Sequence, residues 1–297
     1  MGFVINNNLA ANNSYRSLNA TQNDLSKSLE KLSTGLRINR AGDDAAGLSI
    51  SEGLKSQVTG SAQAARNAQD GISVIQTTEG ALTEVHSILQ RMRDLAVQGS
   101  NDTNNVAARN AIKKEGDALG TELNRLTESA NFNGIQLLKG ASSAGTTTNT
   151  VAGEIEIQVG TGGVSGTDSI SFKVGDVEGA TGVNAGGKVL SSSTGAADFL
   201  VATAAEAQQT VLDIDTAIQN ISKQRSDLGA TQNRLEHTIK SLNVAGENLQ
   251  AAQSRIADVD MAQEMVKFTK ANILSQAGTA MLAQANQSSQ GVLSLLR

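Results

Sequence analysis

The chain has 297 residues and a formal net charge of −5, with no cysteine, no proline and no tryptophan. Without cysteine there are no disulfides or thiolate metal sites, and no basic block of the kind that tracks phosphate is present, which argues against nucleic acid as a partner. Apolar residues make up 39 % of the chain but aromatics only 2 %, so an aliphatic core of thin helix–helix seams replaces the thick aromatic core of a typical globular enzyme, and the missing proline leaves very long helices open to the chain.

In chain order, the opening Met1-Gly2-Phe3-Val4-Ile5-Asn6-Asn7-Asn8 has neither a basic region nor a continuous apolar stretch, and so does not read as a secretory signal. It also fails as a myristoylation site, because Asn6 stands where Ser or Thr is needed. A heptad follows. Ala11, Tyr15, Leu18, Gln22, Leu25, Leu29, Leu32 and Leu36 recur at spacings of four and three, which keeps one seam facing a partner helix. It stops at a Gly- and Asp-rich connector over residues 35–47. A second helix carries Leu54, Val58, Ala65, Ala68, Ile72, Ile75, Leu82 and Leu89 on one register and ends at Gly99-Ser100-Asn101-Asp102, a turn cluster. A third helix is predicted over 106–130, with Ile112, Leu119, Leu123 and Leu126 inward.

From residue 140 to about 195 the chain turns rich in Gly, Ser and Thr. Ile155, Ile157 and Val159 alternate with polar residues, as do Ile170, Phe172 and Val174, and this period of two predicts a β-hairpin with a Gly-rich loop over 160–168. The last third returns to a heptad: Ile214, Ile218, Ile221, Leu228, Leu235, Ile239, Leu242, Leu249 and Ile256. Such a helix runs roughly 60 Å or more. The expected fold is mostly α, made of long antiparallel helical coiled-coil rods with a small β-hairpin segment.

The two ends share a property. No charge occurs in residues 1–14 or 271–296. The second stretch is long enough to span a bilayer, but Asn272, Gln276, Gln284, Asn286, Gln287 and Gln290 are each expensive in hydrocarbon. Burial against other protein is the better account. Two uncharged ends bury little within one monomer, and neighbouring copies would offset the cost of ordering them. Self-assembly follows.

Little in the sequence suggests chemistry. The two histidines, His86 and His237, are far apart, and the His-Glu-x-x-His of a zinc protease is absent. His86 falls on the heptad seam as a packing residue, and His237 lies off it. Gly160-Thr161-Gly162-Gly163-Val164-Ser165-Gly166 lacks the Lys-Ser/Thr of a phosphate loop. Asp213-Ile214-Asp215 opens like a calcium loop, but Ala217 replaces the next ligand. No catalytic residue, cofactor or metal is expected.

The connector reads Leu32-Ser33-Thr34-Gly35-Leu36-Arg37-Ile38-Asn39-Arg40-Ala41-Gly42-Asp43-Asp44-Ala45-Ala46-Gly47-Leu48-Ser49-Ile50-Ser51. It closely resembles the signature of the N-terminal region of bacterial flagellins. Val4-Ile5-Asn6, Leu89-Gln90-Arg91-Met92-Arg93-Asp94-Leu95, Phe132-Asn133-Gly134, Ser254-Arg255-Ile256-Ala257-Asp258-Val259-Asp260 and Val292-Leu293-Ser294-Leu295-Leu296-Arg297 extend the resemblance over residues 1–140 and about 200–297.

The resemblance implies inner-tube helices at 1–40 and 256–297, and rod helices at 41–140 and 201–255. A hairpin and variable segment would lie between them at 141–200, a minimal form almost without outer decoration. The assembly seam would take in Leu18, Leu25, Leu29, Leu32, Leu36, Leu235, Ile239, Leu242, Leu249 and Ile256. It further implies an extracellular filament subunit of the flagellum, exported by the flagellar type III apparatus with a dedicated chaperone. The filament cap and hook-associated proteins would be partners, with no nucleic acid and no membrane insertion. Arg91, Leu95 and Glu115 match residues read by the innate receptor Toll-like receptor 5; Arg91 and Leu95, one helical turn apart, would share a face. A hook–filament junction adaptor is the alternative reading.

Overall fold

The computed structural model describes residues 8–139, 154–164, 166–173, 177 and 199–295. The motif Val4-Ile5-Asn6, the strand residue Val174 and most of the Gly-rich segment lie outside them. The described elements are α1 (Leu9–Thr34), α2 (Ala45–Gly99), α3 (Val106–Ser129), β1 (Asn131–Phe132), β2 (Ile135–Gln136), β3 (Glu154–Gln158), β4 (Ser169–Lys173), α4 (Ala204–Ala257) and α5 (Met261–Leu295). At 55 and 54 residues, α2 and α4 each run about 80 Å. The chain divides into a terminal unit, Met1–Val58 with Gly246–Arg297, and a central unit, Thr59–Ala245.

The central unit holds the buried core. Along α2 the inward residues are Ser61, Ala64, Ala68, Gly71, Ile75, Thr78, Leu82, Val85, Leu89, Met92, Ala96 and Gly99, alternating by three and four without a break. The predicted seam shares Ala68, Ile75, Leu82 and Leu89 with it. Ala65 and Ile72, by contrast, sit beside it, half-buried. His86 is also displaced. The buried position is its neighbour Val85, and His86 lies half-buried with Nε2 2.9 Å from the Gln90 amide nitrogen.

On α4 the buried residues are Ala207, Thr210, Ile214, Ala217, Ile221, Leu228, Thr231 and Leu235, with Ile218 and Ile239 packed at their margin. The Arg93 guanidinium donates to Asp215 across 2.5 Å, and Arg225 to Glu79 across 3.0 Å. Numbers rising along α2 meet numbers falling along α4, so the two helices are antiparallel.

Glycine decides where the smaller elements dock. A Cβ on Gly71 would collide with Ile157 of β3, one on Gly60 with Thr161, and one on Gly116 of α3 with the ring of Phe199. Each glycine is a hole that a side chain from another element fills. β3 and β4 pair antiparallel with Ile157 opposite Ile170 and Ile155 opposite Phe172, and Ile157, Val159, Ile170 and Phe172 are buried against the helices. In β1–β2 the turn residues Asn133 and Gly134 have φ of 50° and 82°, the consecutive left-handed pair that a tight hairpin requires.

The Gly-rich loop between β3 and β4 wraps its own carboxylate. Val159 and Gly160 donate backbone N–H to the Asp168 carbonyl at 2.7 and 2.8 Å, and Val164 N–H reaches Asp168 Oδ2. A Cβ on Gly160 or Gly162 would strike that same side chain. The position a phosphate would take is therefore filled by Asp168.

In the terminal unit, α1 and α5 pair antiparallel. Asn8 Nδ2 donates to the Ala285 carbonyl at 3.0 Å, Leu18 covers Gly278, and Ser28 meets Glu264. The inner face of α1 is Ala11, Ser14, Leu18, Thr21, Leu25, Ser28 and Leu32; that of α5 is Glu264, Phe268, Ala271, Ser275, Gly278, Leu282 and Ala285. The predicted heptad holds at Ala11, Leu18, Leu25 and Leu32. In between, the inward residue is the one preceding the predicted residue: Tyr15 and Leu29 point away, Leu29 being 56 % exposed, and Leu36 lies beyond the end of α1 and is exposed.

Candidate functional site

The flagellin-like signature of residues 35–47 builds a staple. Gly35 caps α1 in the left-handed conformation at φ 74°, its N–H returning to the Lys31 carbonyl. Only glycine takes that φ without a Cβ penalty. The strand-like segment after it bridges to Asp258: Arg37 N–H donates to the Ala257 carbonyl at 2.6 Å and Val259 N–H to the Gly35 carbonyl at 3.0 Å.

The Arg37 guanidinium adds two bonds to the Ile256 carbonyl, at 3.1 and 2.7 Å. It caps the last turn of α4, where a cation also suits the helix dipole. Asp43 accepts the N–H groups of Arg40 and Asn39, in that order of effect, and these hold its carboxyl below the usual range. Gly47 is buried beneath Ile38 and the Asp44 side chain, where a Cβ would not fit. Of the predicted seam residues here, Ile256 contributes the capped carbonyl, and Leu36 forms the bridge. Ile256 and Leu249 are half-buried.

From the staple, α1 and α5 run side by side. Asp260 caps α5 by accepting the Ala262 and Gln263 N–H groups at 3.0 and 3.1 Å. Within the seam sits a buried polar pair. Ser28 Oγ donates to Glu264 Oε1 at 2.7 Å, and Lys267 Nζ to Oε2 at 3.0 Å. Burial by itself would raise the Glu264 pKa, but the Ser28 hydroxyl and the Lys267 ammonium outweigh it, so the carboxyl is held below its ordinary value. One buried polar pair in a heptad seam fixes register, because any slip leaves the charge without its partner. Sequence reading missed both residues. The available signal was that Glu264 is the sole acid of α5, placed where it must meet α1.

The far side of this pair is open; it is mostly polar on α1, where Asn12, Asn13, Arg16, Asn19, Asp24 and Lys27 are exposed, and carries an apolar stripe on α5. On α1, Leu9, Tyr15 and Leu29 are exposed; on α5, Met261, Met265, Val266, Ile273, Leu274 and Met281 are each about half exposed or more. Met265, Val266, Thr269, Lys270, Ile273 and Leu274 line a continuous groove along α5. An apolar stripe left open along a helix marks a surface that meets other protein. No helix among the described residues is long and apolar enough to cross a membrane.

In the central unit, Arg91 and Glu115 are brought together. The guanidinium donates to Glu115 Oε1 at 3.0 and 2.5 Å, and both side chains are about half exposed. Leu95 does not share the exposed face of Arg91 that their spacing predicts. It is 2 % exposed, facing the helical core that Met92 and Ala96 also line. Among the seam residues of α4, Leu235 is fully buried, Ile239 packs on the core margin, and Leu242 is half-buried.

The model of the bacterial flagellin N-terminal helical region matches residues 5–143, and that of the C-terminal helical region matches residues 211–296. The chain belongs to the bacterial flagellin family. A flagellin of Halalkalibacterium halodurans is 48 % identical over 99 % of this chain and 100 % of its own length. One from Bacillus subtilis is 46 % identical over 99 % of each, and flagellin FlaB2 of Treponema pallidum is 45 % identical over 99 % of this chain and 100 % of its own. Matches this complete place the chain among compact flagellins with no large variable domain. A putative flagellar hook-associated protein from Vibrio parahaemolyticus shares the fold, with a TM-score of 0.55 over 73 % of this chain and 100 % of that one, at 16 % identity.

Proposed function

We propose that the chain is the structural subunit of the helical flagellar filament, stacking with copies of itself and catalysing nothing. The observation that carries this reading is the exposed apolar stripe of α5, Met265, Val266, Ile273, Leu274 and Met281. Burying one such side chain contributes about 1.5–3 kcal/mol, and in the single subunit these side chains stay about half exposed or more. Neighbouring copies would supply that burial, with the Ser28–Glu264 pair holding the two helices in the register that presents the stripe. Purified chain added to sheared filament seeds should elongate them, as seen by electron microscopy. A monomer that never elongates seeds at any concentration would overturn the proposal. A chain present in isolated flagella only as a few copies at the hook end would instead be a junction adaptor.

Export through the flagellar type III apparatus to an extracellular filament follows from the same role. A chaperone would cover the apolar side of α5 before export, and cap and hook-associated proteins would meet the filament ends. Recognition by Toll-like receptor 5 is supported by the exposed Arg91–Glu115 pair, two charges on adjacent helices in one patch. Leu95 would act from beneath, by holding α2 in place. Receptor signalling by the Arg91→Ala and Glu115→Ala variants tests this: a response equal to that of the unaltered chain would remove the support.

A further inference from the structure

Four methionines fall among the described residues, and they divide sharply. Met92 is fully buried in the central core, whereas Met261, Met265 and Met281 are 48 %, 49 % and 65 % exposed on α5. Sulfur accessibility governs how fast a thioether is oxidised, so the fold splits one residue type into a protected member and three accessible ones. The accessible three all lie on α5, the helix proposed above to meet neighbouring copies, and this inference rests on that reading. Methionine suits such a surface because its unbranched thioether adapts to irregular gaps. The same sulfur makes the surface chemically addressable.

We infer that Met261, Met265 and Met281 form an oxidation site, modified in the free subunit by hydrogen peroxide and closed once the subunit is built into a filament. In the step, the sulfur lone pair attacks one peroxide oxygen. An S–O bond forms and the O–O bond breaks, the sulfur loses two electrons, and the other peroxide oxygen takes the proton of the transferred one and leaves as water. The product sulfoxide replaces an apolar contact with a strongly polar group that must be desolvated when a neighbouring copy covers it. All three side chains are exposed in the free subunit, so the cost of desolvating a sulfoxide falls on assembly. A methionine sulfoxide reductase acting on the free subunit, with a dithiol oxidised to a disulfide as reductant and the oxygen released as water, would restore the thioether and with it the ability to assemble.

Purified full-length subunit is treated with hydrogen peroxide, and each methionine is followed by peptide mass spectrometry. Met261, Met265 and Met281 should each gain one oxygen at least ~10-fold faster than Met92, and far more slowly in assembled filaments. The oxidised subunit should elongate seeds roughly 10-fold more slowly or worse, and reductase treatment should restore the rate. A variant carrying Met261→Leu, Met265→Leu and Met281→Leu, volume-conserving changes, should elongate equally before and after peroxide. If that triple variant does not elongate at all, the three single Leu variants serve, each expected to lose part of the peroxide sensitivity. Equal oxidation of Met92, undiminished elongation by oxidised subunit, or full peroxide sensitivity in the Leu variants would overturn the inference. Failure of untreated subunit to elongate would overturn the filament reading instead, and the oxidation map would stand by itself.

Discussion

The central and terminal units follow the same heptad but end up very differently buried. In the central unit α2 and α4 meet the additional layer supplied by α3, Phe199 and the β3–β4 hairpin, and Ile75, Leu82, Leu89, Ile214, Ile221 and Leu228 are sealed from water. In the terminal unit α1 and α5 pack on each other. Their inner face is half-buried, with Ser28 and Glu264 at its tightest point, and an apolar stripe of α5 stays open. A repeat of a and d positions thus specifies that a helix pairs; how much water the pair excludes depends on whether another layer arrives. One unit is completed within the chain, and the other has to be completed by its neighbours.

The largest effect that would sharpen this contrast is Leu89→Ala. It should cost about 2–5 kcal/mol in thermal or denaturant unfolding, from lost transfer energy and a residual cavity. The matching change in the terminal unit, Leu29→Ala, should stay within ~0.5 kcal/mol. Comparable losses for the two would mean that the units do not differ in the way described. Leu242→Ala, half-buried near the end of the central unit, should fall between them.

Next in size, Gly116→Ala should destabilise by about 1–3 kcal/mol, because the added methyl displaces the Phe199 ring. The ordinary helical gain for Gly to Ala, roughly 1 kcal/mol, works against this. A stabilised variant would show that Phe199 has room to move and that the third layer is looser than its burial implies.

Ser28→Ala should cost about 1–3 kcal/mol, since a buried carboxylate loses a hydrogen-bond donor. The accompanying pH dependence has a definite sign. The folded pKa of Glu264 is depressed, so its contribution is fully present above the ordinary carboxylate pKa and is lost as pH falls through the folded value. Hydrogen exchange in α1 and α5 should report that loss in the unaltered chain and a smaller one in Glu264→Gln. Identical acid profiles would remove Glu264 from the seam.

Smallest in its effect on the monomer is Ile273→Ser, on the open face of α5, which should change subunit stability by less than ~0.5 kcal/mol while slowing seed elongation. A variant that melts early but elongates normally would place Ile273 inside the subunit instead. Slower hydrogen exchange over α5 after assembly is the parallel observation on the unaltered chain.

By itself the sequence determined the helical rods, the antiparallel hairpin, the connector between α1 and α2, and two ends without charge. These follow from period, from glycine and aspartate clusters and from composition, all of which act locally. What it left open was which of two adjacent positions turns inward: Ser28 or Leu29, Gly71 or Ile72, Val85 or His86. Neighbouring residues on a helix differ by only about 100° in direction, so an apolar residue at the rim of a seam satisfies a hydropathy pattern as well as one at its centre. The tertiary structure settled each case through a partner. Glu264 requires the Ser28 hydroxyl, and Ile157 requires the hole at Gly71. Leu95, matched in the sequence to a receptor motif, was likewise drawn inward by the core it shares with Met92 and Ala96. A small or polar residue has no hydropathy signal of its own, and only the side chain that lands on it reveals why it is there.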